Sequence, residues 1–153
     1  MDKIVYHSIG LMCNAQRAFE MFTTNEHLAK WLTQVADVEP TAGGKYELFW
    51  NPKDRENDST IGCKVLAVSP GIFLSFEWKG PKHVKHFMNE VRPLTNVMVF
   101  FIPSHEGTEV HLLHTGWRAT PEWEEARQYF DKAWAIALSE LQKHVERDQC
   151  KKP

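Results

Sequence analysis

The chain has 153 residues, of which 42% are hydrophobic and 25% charged, and its formal net charge is −2 at pH 7. That length and composition fit one domain spanning residues 1–153, able to fold without a disulfide or a structural metal, and exclude a disordered chain. The weak charge excludes a basic field for nucleic acid or anionic lipid, and no apolar run approaches the ~18 residues of a membrane helix.

The opening MDKIVYHSIG lacks the basic n-region and apolar core of a signal peptide. Cys13, Cys63 and Cys150 form an odd set without CxxC spacing. A reducing, cytoplasmic setting follows from both readings.

Ile4, Tyr6 and Ser8 alternate with Val5, His7 and Ile9, which predicts a strand over 3–12. Asn14 is a good N-cap, and Ala15, Ala18, Phe19 and Phe22 then follow helical spacing. Thr24 caps a second short helix over 25–32, with Leu28, Trp31 and Leu32 inward. Strands come next. A short one covers 35–38. Gly43-Gly44 marks a turn, and Tyr46, Leu48 and Trp50 alternate after it. The polar NPKDRENDS stretch connects to strands over 61–68 and 72–78, then 97–102 and 108–117. The last two are joined by Pro103-Ser104-His105-Glu106-Gly107. Between them and the earlier strands lies a long segment, 79–96, with Pro81, Pro93 and the apolar pair Phe87-Met88. Segments of that length are commonly functional lids or flexible.

The strongest pattern is at the end. Thr120 caps, Pro121 occupies the first helical position, and Glu122, Glu124 and Glu125 sit at the positive end of the helix dipole. Trp123, Ala126, Phe130, Ala133, Trp134, Ala137, Leu138, Leu141 and Val145 then trace one stripe along a helix over 121–146. Two short helices after strand one, a run of short-turned strands and one long helix define an α+β chain. The expected form is a curved antiparallel sheet of about six to seven strands around the long helix.

Particular stretches are similar to a known family. Thr24-Asn25-Glu26-His27-Leu28-Ala29-Lys30-Trp31-Leu32 resembles its DPEHLARWW element, and Gly43-Gly44-Lys45-Tyr46 its GGRF. Gly62 through Pro70, with Leu74-Ser75-Phe76-Glu77-Trp78, resembles its G-x-V-L-x-V-x-P and L-x-F-x-W pattern. Gly107 through Trp117 resembles GTxVxLxHxGF. The chain thus resembles the START-like, or SRPBCC, superfamily, in the branch named after the activator of the heat-shock chaperone ATPase. The resemblance implies the helix-grip fold. It implies less about function, because that superfamily includes lipid carriers, hormone receptors, aromatase/cyclases and chaperone regulators.

A helix gripped by a sheet leaves a concave space, and the residues facing it are the candidate site. Phe130, Trp134 and Leu138 would form one wall; Leu74, Phe76 and Trp78 the other; Tyr46, Val110 and Leu112 complete the lining. His114 shares the inward set of its strand with Val110 and Leu112, so it is the candidate polar contact for a ligand. Phe87 and Met88 are placed to shield the mouth. The leading expectation is a binding domain for a small hydrophobic ligand. The alternative is a protein-interaction module for a chaperone or a second copy of the chain. An enzyme of cyclase or hydrolase type comes third, with His114, Tyr46 and Tyr6 as its polar groups. No carboxylate pair and no nucleophile motif favours catalysis. No cofactor and no metal are expected: His83 with His86, and His111 with His114, lack further ligands at zinc-like spacing.

Overall fold

A computed structural model describes residues 3–150; the side chains of Gln149 and Cys150 lie outside the described set. Chain order runs β1 (Val5–Leu11), α1 (Ala15–Thr23), α2 (Asn25–Trp31), β2 (Val35–Val38), β3 (Tyr46–Phe49), β4 (Val65–Ser69), β5 (Phe73–Glu77), α3 (Lys85–Met88), β6 (Asn96–Ser104), β7 (Gly107–Thr115) and α4 (Pro121–Cys150). The strands form a five-stranded antiparallel sheet, β1-β7-β6-β5-β4, and a two-stranded one, β2-β3. Single bridges at Lys45↔Lys64 and Phe49↔Ser59 tie β3 to the chain that leads into β4. The expected sheet of six to seven strands is therefore built as five strands and two, joined by these bridges, because Ile61 and Gly62 turn before pairing resumes at Lys64. Gly62 sits there at φ +85°, a left-handed conformation that favours glycine.

Alternation along the strands decides which face is covered. Val97, Val99 and Phe101 of β6 are buried, as are Val110, Leu112 and His114 of β7 and Leu74 and Phe76 of β5. Phe100 and Ile102 between them remain exposed on the opposite face. Against the inner face lies α4, whose Trp123, Ala126, Phe130, Trp134, Leu138, Leu141 and Val145 join the same core. Its start is as expected: Trp123 N–H donates to Thr120 Oγ1 (3.4 Å), with Pro121 next. Polar ties hold its edge to β1, where His7 Nε2 meets Asp131 Oδ1 at 2.9 Å and Gln142 donates to Gly10 O at 3.2 Å.

The short helices close one end. Asn14 Oδ1 accepts from Arg17 N–H at 2.8 Å, the expected cap. Thr24 makes no side-chain cap bond. At the head of α2 it is Asn25 whose side chain is engaged, accepting from Val38 N–H at 2.9 Å. Trp31 donates to Met21 O (2.8 Å) and Tyr46 to Phe22 O (2.7 Å), so both α1 and α2 are pinned through buried donors. His27 and His144 pair across α2 and α4 at 2.8 Å.

Two expectations about connections need correction. Pro103 and Ser104 are strand, not loop, and the turn is reduced to His105-Glu106. Proline is tolerated there because β6 has outrun β5, whose pairing with it ends at Phe73↔Phe100, so no partner waits for the missing N–H. Gly107 then takes φ +153°, where a Cβ would lie 2.2 Å from Leu11 O. The 79–96 segment folds instead of hanging free. Gly80 N–H donates to Asn89 Oδ1 (2.7 Å) and Asn89 returns to Gly80 O (3.3 Å), closing the segment around α3. A Cβ on Gly80 would meet Met88 Sδ at 2.7 Å, which is why the approach requires glycine.

The packing gives a sharp contrast on α4. Leu138 is 1% exposed, whereas Ile136, two residues earlier, is 67% exposed. Leu138→Ala is expected to cost about 2–5 kcal/mol through the cavity it leaves. Ile136→Ala is expected to change stability by no more than about 0.5 kcal/mol. Urea unfolding of the two variants measures the difference.

Candidate functional site

Beside α4 lies a cleft of about 540 Å³. One side is α4 itself, presenting Tyr129, Phe130, Ala133, Trp134, Ile136 and Ala137. Trp31 and Leu32 from the end of α2 close another side. Trp50 just beyond β3, and Trp78 with Pro81 just beyond β5, complete the apolar wall. Polar groups stand at the edges: Asn51, Asp58, Ser59, Lys79 and Glu140. Four of the six tryptophans of the chain thus meet at one opening.

The reason for the hollow is local. Ala133 and Ala137 flank Trp134 and Leu138 on the helix, so small side chains alternate with large ones along one edge of the stripe. The facing ground is covered by strand ends and loops, with Trp50, Asn51, Asp58 and Ser59 after β3 and Trp78, Lys79 and Pro81 after β5. Small residues opposite that ground leave space that large ones would fill.

Of the twelve residues expected around a ligand, Trp78, Phe130 and Trp134 border this cleft. Tyr46, Leu74, Phe76, Val110, Leu112 and Leu138 are packed in the core, each 0–1% exposed. Tyr46 stacks on Phe76 with ring centroids 3.8 Å apart. Met88 is fully buried against Gly80. Phe87 packs on Trp123, near the start of α4, with centroids 5.2 Å apart. Sequence reasoning missed Trp31, Leu32, Trp50, Pro81, Tyr129 and Ile136 as wall residues. A signal existed for part of this set: Tyr129, Ala133, Ile136 and Glu140 share a helix edge adjoining the main stripe.

His114 is completely buried, and both of its ring nitrogens are engaged within the protein. Trp134 Nε1 is a donor only, so His114 Nδ1 accepts from it at 3.1 Å. The ring proton is therefore on Nε2, which donates to Thr95 Oγ1 at 3.0 Å. Trp117 Nε1 donates to the His114 carbonyl at 2.8 Å. Burial pushes the imidazole down from its ordinary 6.5 to about 3, so it is neutral in the folded protein.

The other chemically notable groups are quiet. Burial pushes the Cys63 thiol up to about 12, which keeps it protonated and unreactive. Tyr46, with its hydroxyl engaged, is pushed up likewise by burial. Tyr6 stands on the outer face of the sheet, bonded to His111 Nδ1 at 2.7 Å. His111 and His114 thus face opposite sides of the sheet, while His83 packs on the Tyr129 ring and His86 lies 3.9 Å from Glu122. Among the described residues no group of three or more His, Cys, Asp or Glu is arranged to hold a metal ion. No helix among them is long and apolar enough to cross a membrane.

An antiparallel sheet holding one long helix, with two short helices after the first strand, is the helix-grip class of α+β protein. Comparison with known proteins narrows this. The profile of the family described as Activator of Hsp90 ATPase homolog 1-like protein matches residues 13–146, and the chain belongs to that family. The search of curated proteins gives no match. Solved structures share the fold. Protein MLL2253 from Mesorhizobium loti aligns with a TM-score of 0.77 at 20% identity, covering 95% of this chain and 98% of its own. Protein NE0264 from Nitrosomonas europaea aligns at 0.72 and 15% identity, with 96% of each chain covered. The Aha1 dimer from Colwellia psychrerythraea aligns at 0.67 and 19% identity, covering 94% of this chain and 96% of that one.

The neutral buried histidine sets an acid dependence. In the unfolded chain His114 takes up a proton near its ordinary 6.5; in the folded chain it does so only near 3. The unfolded state therefore binds more protons between these values, and stability is lost as pH falls through that window. The slope is expected to approach about 1.4 kcal/mol per pH unit for this one group. His27 and His144, both lowered chiefly by burial, add in the same direction. Asp148 and Glu124 are held low by Arg17 and Arg127, so their contributions fade only in the carboxylate range below. Chemical unfolding between pH 7.5 and 5 checks this, and His114→Gln is expected to flatten the slope by about one proton's worth. Dialysis against a chelator is expected to leave Tm unchanged, because no closed ligand set is present among the described residues.

Proposed function

We propose that this protein binds a small, largely apolar molecule in the cleft beside α4. The observation that carries the reading is the convergence of Trp31, Trp50, Trp78 and Trp134 on a space of about 540 Å³. That volume lies within the roughly 300–1,000 Å³ usual for small-molecule sites, and the walls are apolar with polar groups at the rim. The helix-grip fold supports it by giving a rigid helix and sheet on which aromatic walls hold their positions. Catalysis has less support, since His114 and Tyr46 have their polar atoms engaged inside the core and Tyr6 lies on the outer face.

A second reading is self-association. The outer sheet face exposes Tyr6, Phe100 and Ile102, at 49%, 37% and 48%. The Colwellia psychrerythraea relative is described as a dimer. Sedimentation of the purified protein over a range of concentrations tests it, and a monomer throughout would remove it.

The ligand reading is checked by titrating a panel of apolar aromatic and acyl compounds while following tryptophan fluorescence. At least one is expected to bind and to change the emission of the cleft tryptophans. Ala137→Trp, which places an indole in the cleft from α4, is expected to abolish that binding and leave the fold intact by circular dichroism. If no compound binds the unmodified protein, the cleft is not a ligand site and self-association becomes the leading reading.

A further inference from the structure

One donor in the cleft wall is left over by the packing. Trp78 is 3% exposed, yet its indole N–H has no hydrogen-bond partner among the described residues. An unpaired buried donor is rare and costly. Arg17 Nε is the other such side-chain atom described, but it belongs to a guanidinium whose remaining nitrogens face Asp148 and Glu20. Trp78 has no comparable relief. Its neighbours are rings: Trp134, Trp50, Phe76, His114 and Phe130, with centroids 5.0–6.5 Å away. His114, the one ring among them with an acceptor nitrogen, has already given it to Trp134.

Trp78 also borders the cleft. We propose that the molecule bound there is an aromatic or alicyclic compound carrying a neutral carbonyl oxygen, a ketone, ester or amide, that accepts the Trp78 Nε1 proton. This rests on the ligand reading above and names the chemistry of its polar contact. Sequence considerations point to His114 for that role; with both imidazole nitrogens engaged, it passes to the indole beside it.

The charges at the rim argue for a neutral acceptor. Asp58 and Glu140 are carboxylates, and Lys79, the cation among the lining residues, already donates to Ile61 O at 2.6 Å. A carboxylate or phosphate ligand would meet more negative charge than positive. The N–H itself is shut off from solvent, so the oxygen arrives with a ring movement. Trp50, edge-on to Trp78 and 37% exposed, is the least buried of the rings around it and the one whose swing opens the way.

The test uses two compounds of nearly the same shape, 2-acetylnaphthalene and 2-isopropenylnaphthalene, in which C=CH2 replaces C=O. The ketone is expected to bind about tenfold tighter, equivalent to about 1.4 kcal/mol. In ¹⁵N-labelled protein the Trp78 indole N–H resonance should move downfield with the ketone and not with the alkene. Trp78→Phe should abolish the ketone's advantage over the alkene, whatever it does to the affinity the two compounds share. If that variant fails to fold, the resonance shift in the unmodified protein still decides. An alkene that binds as well as the ketone, or a Trp78 resonance that the ketone leaves in place, overturns this inference and leaves the cleft reading standing. If neither compound binds at millimolar concentration, this inference fails, and the wider panel titration decides the cleft reading separately.

Discussion

Trp134 is held at one atom, where its indole N–H donates to the buried His114 at the centre of the molecule. That bond joins α4 to β7, sets the plane of the indole and leaves His114 a single tautomer. The imidazole in turn is locked by Thr95, which enters just before β6, and its carbonyl receives Trp117. One face of the assembly belongs to the core and another to the cleft. A polar contact of this kind, satisfied at both ends, specifies a unique arrangement among aromatic rings that would otherwise pack in several ways. The neutral state of His114 is the chemical condition for it, since a protonated Nδ1 could not accept.

From this centre the rest of the architecture follows by burial. The stripe on α4 needs a covered apolar face, and the inner residues of β5, β6 and β7 supply it. The small sheet β2-β3 continues that cover only through isolated bridges. Across the cleft from Ala133 and Ala137 stand the segments after β3 and β5, which carry Trp50 and Trp78. Membership in the Activator of Hsp90 ATPase homolog 1-like family describes the fold in which this happens. What the molecule does with the space depends on the side chains around it, because one fold serves many functions.

Much of the fold could be read from residue order. The period-2 runs in β1, β6 and β7, the stripe of α4 and the Asn14 cap are local patterns, and they give the same answer in the sequence as in space. Pro103 was misleading because its tolerance depends on where β5 stops, a fact about a neighbouring strand. The 61–68 run was misleading at its start: its apolar character suits a strand, but Ile61 and Gly62 turn, and pairing begins only at Lys64. Thr24 looks like a cap, yet at the head of α2 it is the Asn25 side chain that is engaged, with a partner in β2.

The candidate site divides along the same line. That His114 faces inward and that α4 carries Phe130 and Trp134 toward the sheet follow from periodicity within single elements. Whether an inward residue meets another side chain or an empty space does not. Leu74, Phe76, Val110 and Leu112 share the direction of His114 and are closely packed, whereas Trp31, Trp50 and Tyr129 lie far apart in sequence and share a cavity wall. Direction is a property of one strand or helix, set by its own repeat. A cavity is a difference between the surfaces of several elements, set by how far apart their packing holds them, and only the tertiary structure decides that distance.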